Sequence, residues 1–142
     1  MQYGKSNEET EQIALFRWAA YAENKYPELK LMYHVPNEGK RSAATGSRLK
    51  QAGLKPGVPD IVLPVARGGY IGLYIELKYG RNKATENQKN WLKNLEIHNH
   101  LTAVCYGWEQ AKNLIESYLN LETTKIIQRK EEGENHDNKG IS

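Results

Sequence analysis

The sequence predicts an α/β fold in which a mixed β-sheet is flanked by helices, on three observations. First, "YIGLYIELK" (70–78) places Ile71, Leu73, Ile75 and Leu77 on one side and Tyr74, Glu76 and Lys78 on the other, the period-two pattern of a strand. Second, the short "ARGG" (66–69) joins this strand to the apolar run before it as an antiparallel hairpin. Third, a helical segment separates it from "LTAVCYG" (101–107), so that last strand follows a crossover and lies parallel to one already in the sheet. The expected order is α-β-α-β-β-α-β-α, in three layers.

The elements follow in chain order. Residues 1–7 read as a flexible arm, and 8–121 as one domain. Ser6 or Asn7 is positioned to cap a helix running to about Asn24, with Glu8, Glu9 and Glu11 in its first turn. Leu15, Trp18 and Ala22 form its apolar stripe, widened by Ile13, Phe16 and Ala20, and Tyr26-Pro27 ends it. "LKLMYHVPN" (29–37) is expected to be a strand, and "SAATGSRLKQAG" (42–53) a short helix with Gly53 near its C-terminus. "PGVPDIVLPV" (56–65) is a turn and a strand. Thr85 starts the next helix, with Gln88 at capping-box spacing. "WEQAKNLIESYL" (108–119) is the closing helix. Residues 122–142 are charged and polar and are expected to be a disordered tail.

Composition narrows the function classes. The 142 residues are 39% hydrophobic and 26% charged, values typical of a globular domain, and the net charge of +3 permits a nucleic-acid partner without requiring one. A single cysteine, Cys105, excludes an intramolecular disulfide and a cysteine-rich zinc site; its apolar surroundings make it a buried small hydrophobe. No run of apolar residues is long enough to span a membrane, and the polar N-terminus lacks a signal-like segment. An intracellular location is expected. There is no phosphate-binding loop and no dinucleotide fingerprint, so no nucleotide cofactor is expected.

The chemistry gathers on one sheet face. Asp60 precedes Ile61, Leu63 and Val65 and points the opposite way, so the hairpin sets Asp60 beside Glu76. Two adjacent carboxylates raise each other's pKa unless a cation compensates. A hard divalent ion such as Mg²⁺ or Mn²⁺ is held by one or two carboxylates, with waters and substrate phosphate oxygens completing its shell. Such an ion acidifies water and polarises a phosphoryl group, and Lys78 is placed to orient that water or offset developing charge. A buried Glu76–Lys78 ion pair without catalysis is the plainer reading, but such a pair adds little stability.

Pro59-Asp60 followed by Glu76-Leu77-Lys78 matches the PD-(D/E)xK signature of a large nuclease superfamily. With "EQIALFRWAA", "VPNEGKRSAATGSRLKQAGLKPGVPDIVLPVARGGY", "GLYIELK", "TENQKNWL" and "AVCYGWEQA", the chain resembles the VRR-Nuc family, the virus-type replication-repair nucleases, from about Glu11 to Leu119. It resembles especially the small stand-alone phage and bacterial members, which implies the cytoplasm of a bacterium or of a phage-infected host as its location. The resemblance implies the restriction-endonuclease-like core and divalent-metal-dependent cleavage of DNA. It also implies a preference for branched DNA in some members, and homodimers among stand-alone ones. Carried over by position, it assigns Asp60 and Glu76 as metal ligands, the Leu77 backbone carbonyl as a further one, Lys78 as the catalytic lysine, and Gln88 and Glu11 as the downstream glutamine and N-terminal glutamate.

Two of these have second readings. Gln88 fits a plain capping role, yet it shares a helix side with Trp91, Leu92 and Leu95, and both roles are compatible. Glu11 fits a first-turn dipole partner, as Glu8 and Glu9 do, although its position one turn before Leu15 favours an inward aim. Residues 39–59 carry Lys40, Arg41, Arg48, Lys50 and Lys55 with no acidic residue, and Arg81 and Lys83 extend the run, which suits phosphate contacts. Two rivals to a structure-specific nuclease stay open: a non-catalytic DNA-binding module on the same fold, and a sequence-specific restriction-type endonuclease, for which no base-reading element is visible.

Overall fold

The computed structural model describes residues 7–36 and 42–123. Lys40, Arg41 and Asn37, the arm up to residue 6, and residues 124–142 lie outside the described residues. Among the described residues no helix is long and apolar enough to cross a membrane.

The first helix, α1 (Glu8–Ala22), starts where the Asn7 side chain accepts the Thr10 N–H at 3.0 Å. It ends when Tyr26 donates back to the Ala22 carbonyl and Pro27 opens a new element. That element is not the expected strand. Pro27–Leu31 is a 3-10 helix, and strand β1 is only Tyr33–His34. The reason lies in the spacing. Leu29 and Met32 are the buried residues and Leu31 is exposed, so the apolar period here is three rather than two. Ile13 and Ala20, expected to widen the α1 stripe, are also exposed, whereas Leu15 and Ala19 are buried.

Helix α2 (Ala43–Gln51) begins with Ser42 accepting the Thr45 N–H at 3.1 Å. Strands β2 (Ile61–Leu63) and β3 (Leu73–Lys78) pair antiparallel. Between them Arg67 and Tyr70 exchange both backbone hydrogen bonds, at 3.1 and 2.8 Å, around Gly68 and Gly69. Both glycines have positive φ (60° and 89°), the backbone of the tight hairpin turn expected at "ARGG". Regular pairing resumes only at Leu73, so Ile71 is exposed instead of joining the strand's apolar face. Helix α3 (Glu86–Ile97), strand β4 (Leu101–Tyr106) and helix α4 (Trp108–Leu119) complete the domain. The chain continues in register past the expected end at Leu121: the Glu122 carbonyl accepts the Gly68 N–H at 2.6 Å, and Thr123 pairs with Arg67.

The sheet order is β1-β2-β3-β4, with the first three strands antiparallel and β4 parallel to β3. Its odd-numbered face, Ile61, Leu63, Leu73, Ile75 and Leu77, packs with Leu15 of α1 and Ile115 and Tyr118 of α4 into the main core. Each such aliphatic side chain contributes about 1.5–3 kcal/mol of burial. Helix α3 packs along β4, and its Gln88 reaches the even-numbered face, which makes the third layer. The mixed α/β architecture is therefore the one the sequence predicts.

Candidate active site

Register brings the site together. Ile61 pairs with Ile75 and Leu63 with Leu73, so one further step sets Asp60 opposite Glu76, on the face turned away from the main core. Asp60 Oδ2 accepts the Leu77 N–H at 2.8 Å, which holds the carboxylate where β2 begins and β3 ends. A strand residue sends its N–H and C=O to the same edge, so the Leu77 carbonyl faces that side too. Consistently, the next carbonyl, Lys78, turns the other way and accepts from Gly107.

Glu76 is 1% exposed. Its Oε2 accepts from Gln88 Nε2 at 3.0 Å and lies 3.6 Å from Lys78 Nζ. Its Oε1 is buried with no donor among the described residues. Burial, the charge of Asp60 and direct contact with the Asp60 carboxyl together push the Glu76 carboxyl up to about 8, and Lys78 offsets only part of this. Asp60 is raised as well, chiefly by burial, with the Leu77 N–H and Lys78 opposing and the charge of Glu8 adding to the rise.

Gln88 both caps α3 and contacts Glu76. Its Oε1 accepts the Thr85 N–H at 2.8 Å and its backbone N–H donates to Thr85 Oγ1 at 3.2 Å, closing the capping box, while Nε2 serves Glu76. Glu11 is engaged elsewhere. Its Oε1 accepts the Trp108 N–H at 3.0 Å and caps α4, whose own N-cap residue, Gly107, has no side chain to do so.

A cleft of about 720 Å³ opens at this end of the sheet. Asp60, Glu76, Leu77 and Gln88 line it, and from α1 it is Glu8, Glu9, Gln12 and Ile13, not Glu11, that do so. Asn82 Nδ2 donates to Glu8 Oε2 at 2.8 Å and ties the loop after β3 to α1 across the opening. His34 and Tyr79 complete the walls. Lys78, 6% exposed, stands behind Glu76 and is not among the lining residues. Sequence reasoning missed Glu8, Gln12, His34 and Tyr79. The signal available for the first two was their spacing of one helical turn, which aligns a carboxylate and an amide on one side of α1.

Arg48, Lys50, Lys55, Arg81 and Lys83 are all exposed and lie outside the cleft lining. The loop bearing Lys55 is fixed to α3: Trp91 Nε1 donates to the Pro56 carbonyl at 3.0 Å, and Gly57 approaches Asn87 so closely that a Cβ would lie 2.7 Å from its backbone. Cys105 is buried, and burial pushes its thiol up to about 11, in keeping with an inert core residue.

Among the described residues no group of three or more His, Cys, Asp and Glu converges on one point. The donor set at the sheet end is two carboxylates with a backbone carbonyl beside them. That set suits a hard, water-rich cation rather than a closed nitrogen or sulfur cage.

Comparison with known proteins agrees with this architecture. No curated protein matches the chain. A solved structure of a VRR_NUC domain protein is similar, with a TM-score of 0.71 at 27% identity, over 82% of this chain and 91% of that one. The model of the VRR-NUC domain family matches residues 6–109, a span that includes α1, the Asp60–Glu76 pair and Gln88. By that match the chain belongs to the VRR-NUC domain family, a nuclease-like family.

Proposed function

We propose that the protein is a DNA endonuclease that depends on Mg²⁺ or Mn²⁺ and hydrolyses phosphodiester bonds in branched DNA, such as a flap or four-way junction. The observation that carries the reading is the packing of Asp60 against Glu76 with one Glu76 oxygen buried and undonated. Two carboxylates kept so close call for positive charge between them, and Lys78 reaches only the other Glu76 oxygen. The residues therefore fit a divalent ion, held by Asp60, Glu76 and the Leu77 carbonyl. When bound it supplies charge neutralisation, polarisation of the phosphoryl group and acidification of water.

The remaining roles belong to the chain. The Leu77 N–H fixes the rotamer of Asp60, and Gln88 fixes Glu76. Glu8 brings a third carboxylate to the cleft from α1. Lys78, buried behind Glu76, orients the attacking water or offsets the charge that builds on the phosphorus. The basic residues outside the cleft, Arg48, Lys50, Lys55, Arg81 and Lys83, contact flanking phosphates together with Lys40 and Arg41. The branched substrate, a role in phage replication or repair, and a homodimer rest on the family resemblance; two sites in a dimer would address opposite strands of a junction.

The test offers purified protein linear duplex, flap and four-way junction of matched sequence with Mg²⁺, Mn²⁺ or chelator. Metal-dependent cutting of the branched substrates is expected, and Asp60→Ala is expected to abolish it while DNA binding persists. Binding without cleavage under every condition would replace this reading with a non-catalytic module. Preference for a palindromic linear duplex would replace it with a restriction-type enzyme.

A further inference from the structure

The cleft is lined by acidic side chains, Glu8, Glu9, Asp60 and Glu76, and also by two rings and an aliphatic side chain, Tyr79, His34 and Ile13. Tyr79 is 38% exposed and Ile13 is 47% exposed. Tyr79 directly follows Lys78, at the start of a turn closed by the Asn82 N–H donating to the Tyr79 carbonyl at 3.2 Å. The Asn82–Glu8 bond anchors that turn to α1, so the ring is presented on a fixed support rather than on a free loop. No hydrogen bond among the described residues uses the Tyr79 hydroxyl.

Size and charge restrict what enters. About 720 Å³ falls within the roughly 300–1,000 Å³ of pockets that take small molecules, which suits a single nucleotide. Among the described residues the lining carries acidic side chains and the exposed basic residues lie outside it, which suits flanking phosphates running outside the cleft. An exposed aromatic ring beside a phosphodiester site is what an unstacked base requires.

We propose that Tyr79 is a base-stacking platform for one unpaired nucleotide next to the scissile phosphate, with His34 and Ile13 bounding the subsite. The platform rests on the nuclease reading for its substrate and extends it: the requirement for branched DNA becomes a requirement for a base free to leave the helix at the cutting point. A perfect duplex is then a poor substrate because its bases cannot reach the ring.

The test uses forked DNA carrying 2-aminopurine at the unpaired position beside the branch, with the full-length protein. In Lys78→Met protein with Mg²⁺, emission is expected to be quenched on binding at that position and not inside the duplex arm. In otherwise wild-type protein, Tyr79→Ala is expected to raise KM for forked DNA by roughly 5- to 100-fold, the range of losing one base stack. Tyr79→Phe is expected to preserve both quenching and KM, because stacking needs the ring and not the hydroxyl. Tyr79→Leu keeps apolar volume at the site and guards against a folding defect; it is expected to behave like the alanine variant. Equal cleavage by wild type and Tyr79→Ala, or equal loss in Tyr79→Phe and Tyr79→Ala, would overturn the platform. Failure of wild type to cut any DNA would instead overturn the nuclease reading, and the quenching measurement would still decide the platform.

Discussion

Gln88 turns its amide nitrogen to Glu76, at 3.0 Å, because its amide oxygen is committed to the Thr85 N–H, at 2.8 Å. The cap of α3 thus decides which end of the amide faces the carboxylate. A helix-starting motif worth about 1 kcal/mol in stability also aims a donor at the site. Gln88→Ala is expected to lower the cleavage rate by about 10- to 100-fold, the usual loss when a carboxylate that holds a metal loses its supporting partner. Gln88→Glu is expected to do worse, since it sets a third carboxyl against Glu76. Thr85→Ala is expected to lower stability and to cut activity less than either. Initial rates on a four-way junction, paired with thermal melts, check all three.

Under the proposed function, metal binding and stability oppose each other at Asp60. Its charge, with burial, raises the Glu76 carboxyl. Asp60→Asn is expected to raise the melting temperature of metal-free protein at pH 8 and to abolish the stabilisation that Mg²⁺ gives. Its cleavage loss is expected to exceed the 10- to 100-fold typical of groups one step removed from the metal. Differential scanning fluorimetry with and without Mg²⁺ reads the first two effects, and a gel assay reads the third.

The raised Glu76 value fixes a pH dependence. Between its ordinary 4.5 and about 8, the folded protein holds a proton that the unfolded chain has released. Folding therefore takes up a proton in that window, and stability in chelator is expected to fall as pH rises from about 5 to about 8. Asp60, also raised, acts in the same direction. In the proposed enzyme a divalent cation would substitute for the proton, so a Mg²⁺-induced rise in melting temperature is expected to grow across the same range. Glu76→Gln is expected to lose its share of both trends, which separates it from other titrating groups.

Two of the three first-turn glutamates of α1, Glu8 and Glu11, have different duties. Glu8 lines the cleft, whereas Glu11 caps α4 through the Trp108 N–H. Glu11→Ala is expected to cost about 0.5–2 kcal/mol of stability, the range for a lost helix cap, with cleavage by the folded protein retained. Glu8→Ala is expected to show the reverse, reduced cleavage with little change in stability. Urea unfolding and single-turnover rates distinguish them.

Gly57 is fixed by backbone and by contact. Its φ is 83°, and an added Cβ would lie 2.7 Å from Asn87. Gly57→Ala is expected to cost about 1–3 kcal/mol from the strained backbone, and more if α3 has to shift. Since this loop leads into Asp60, cleavage is expected to fall with it. Urea denaturation measures the first effect.

Period and punctuation made most of this molecule legible in the sequence. Alternation through Leu73–Lys78 and the glycine pair at 68–69 set the hairpin, and the hairpin alone brings Asp60 to Glu76. Thr85 and Gln88 announced the α3 cap at the correct residue. The misreadings arose where spacing is ambiguous over a few residues. Around Leu29, Leu31 and Met32 a two-residue and a three-residue period differ by one position, and tertiary contact with α1 selects the 3-10 turn. Glu8, Glu9 and Glu11 all satisfy the helix dipole equally, so the first turn does not reveal which of them face the cleft. That choice depends on the azimuth at which α1 packs on the sheet, which is a property of the assembled core. Tyr79 falls just past the end of β3 and His34 lies in the two-residue β1, where no periodic pattern marks their direction.

The central claim is that Asp60 and Glu76 jointly hold one divalent cation. Anomalous diffraction from crystals grown with Mn²⁺ tests it most directly. A manganese peak within coordination distance of both carboxylates and the Leu77 carbonyl, absent in the Asp60→Asn protein, is the expected result. Ordered side chains at 60 and 76 with no manganese between them at saturating concentration would contradict it.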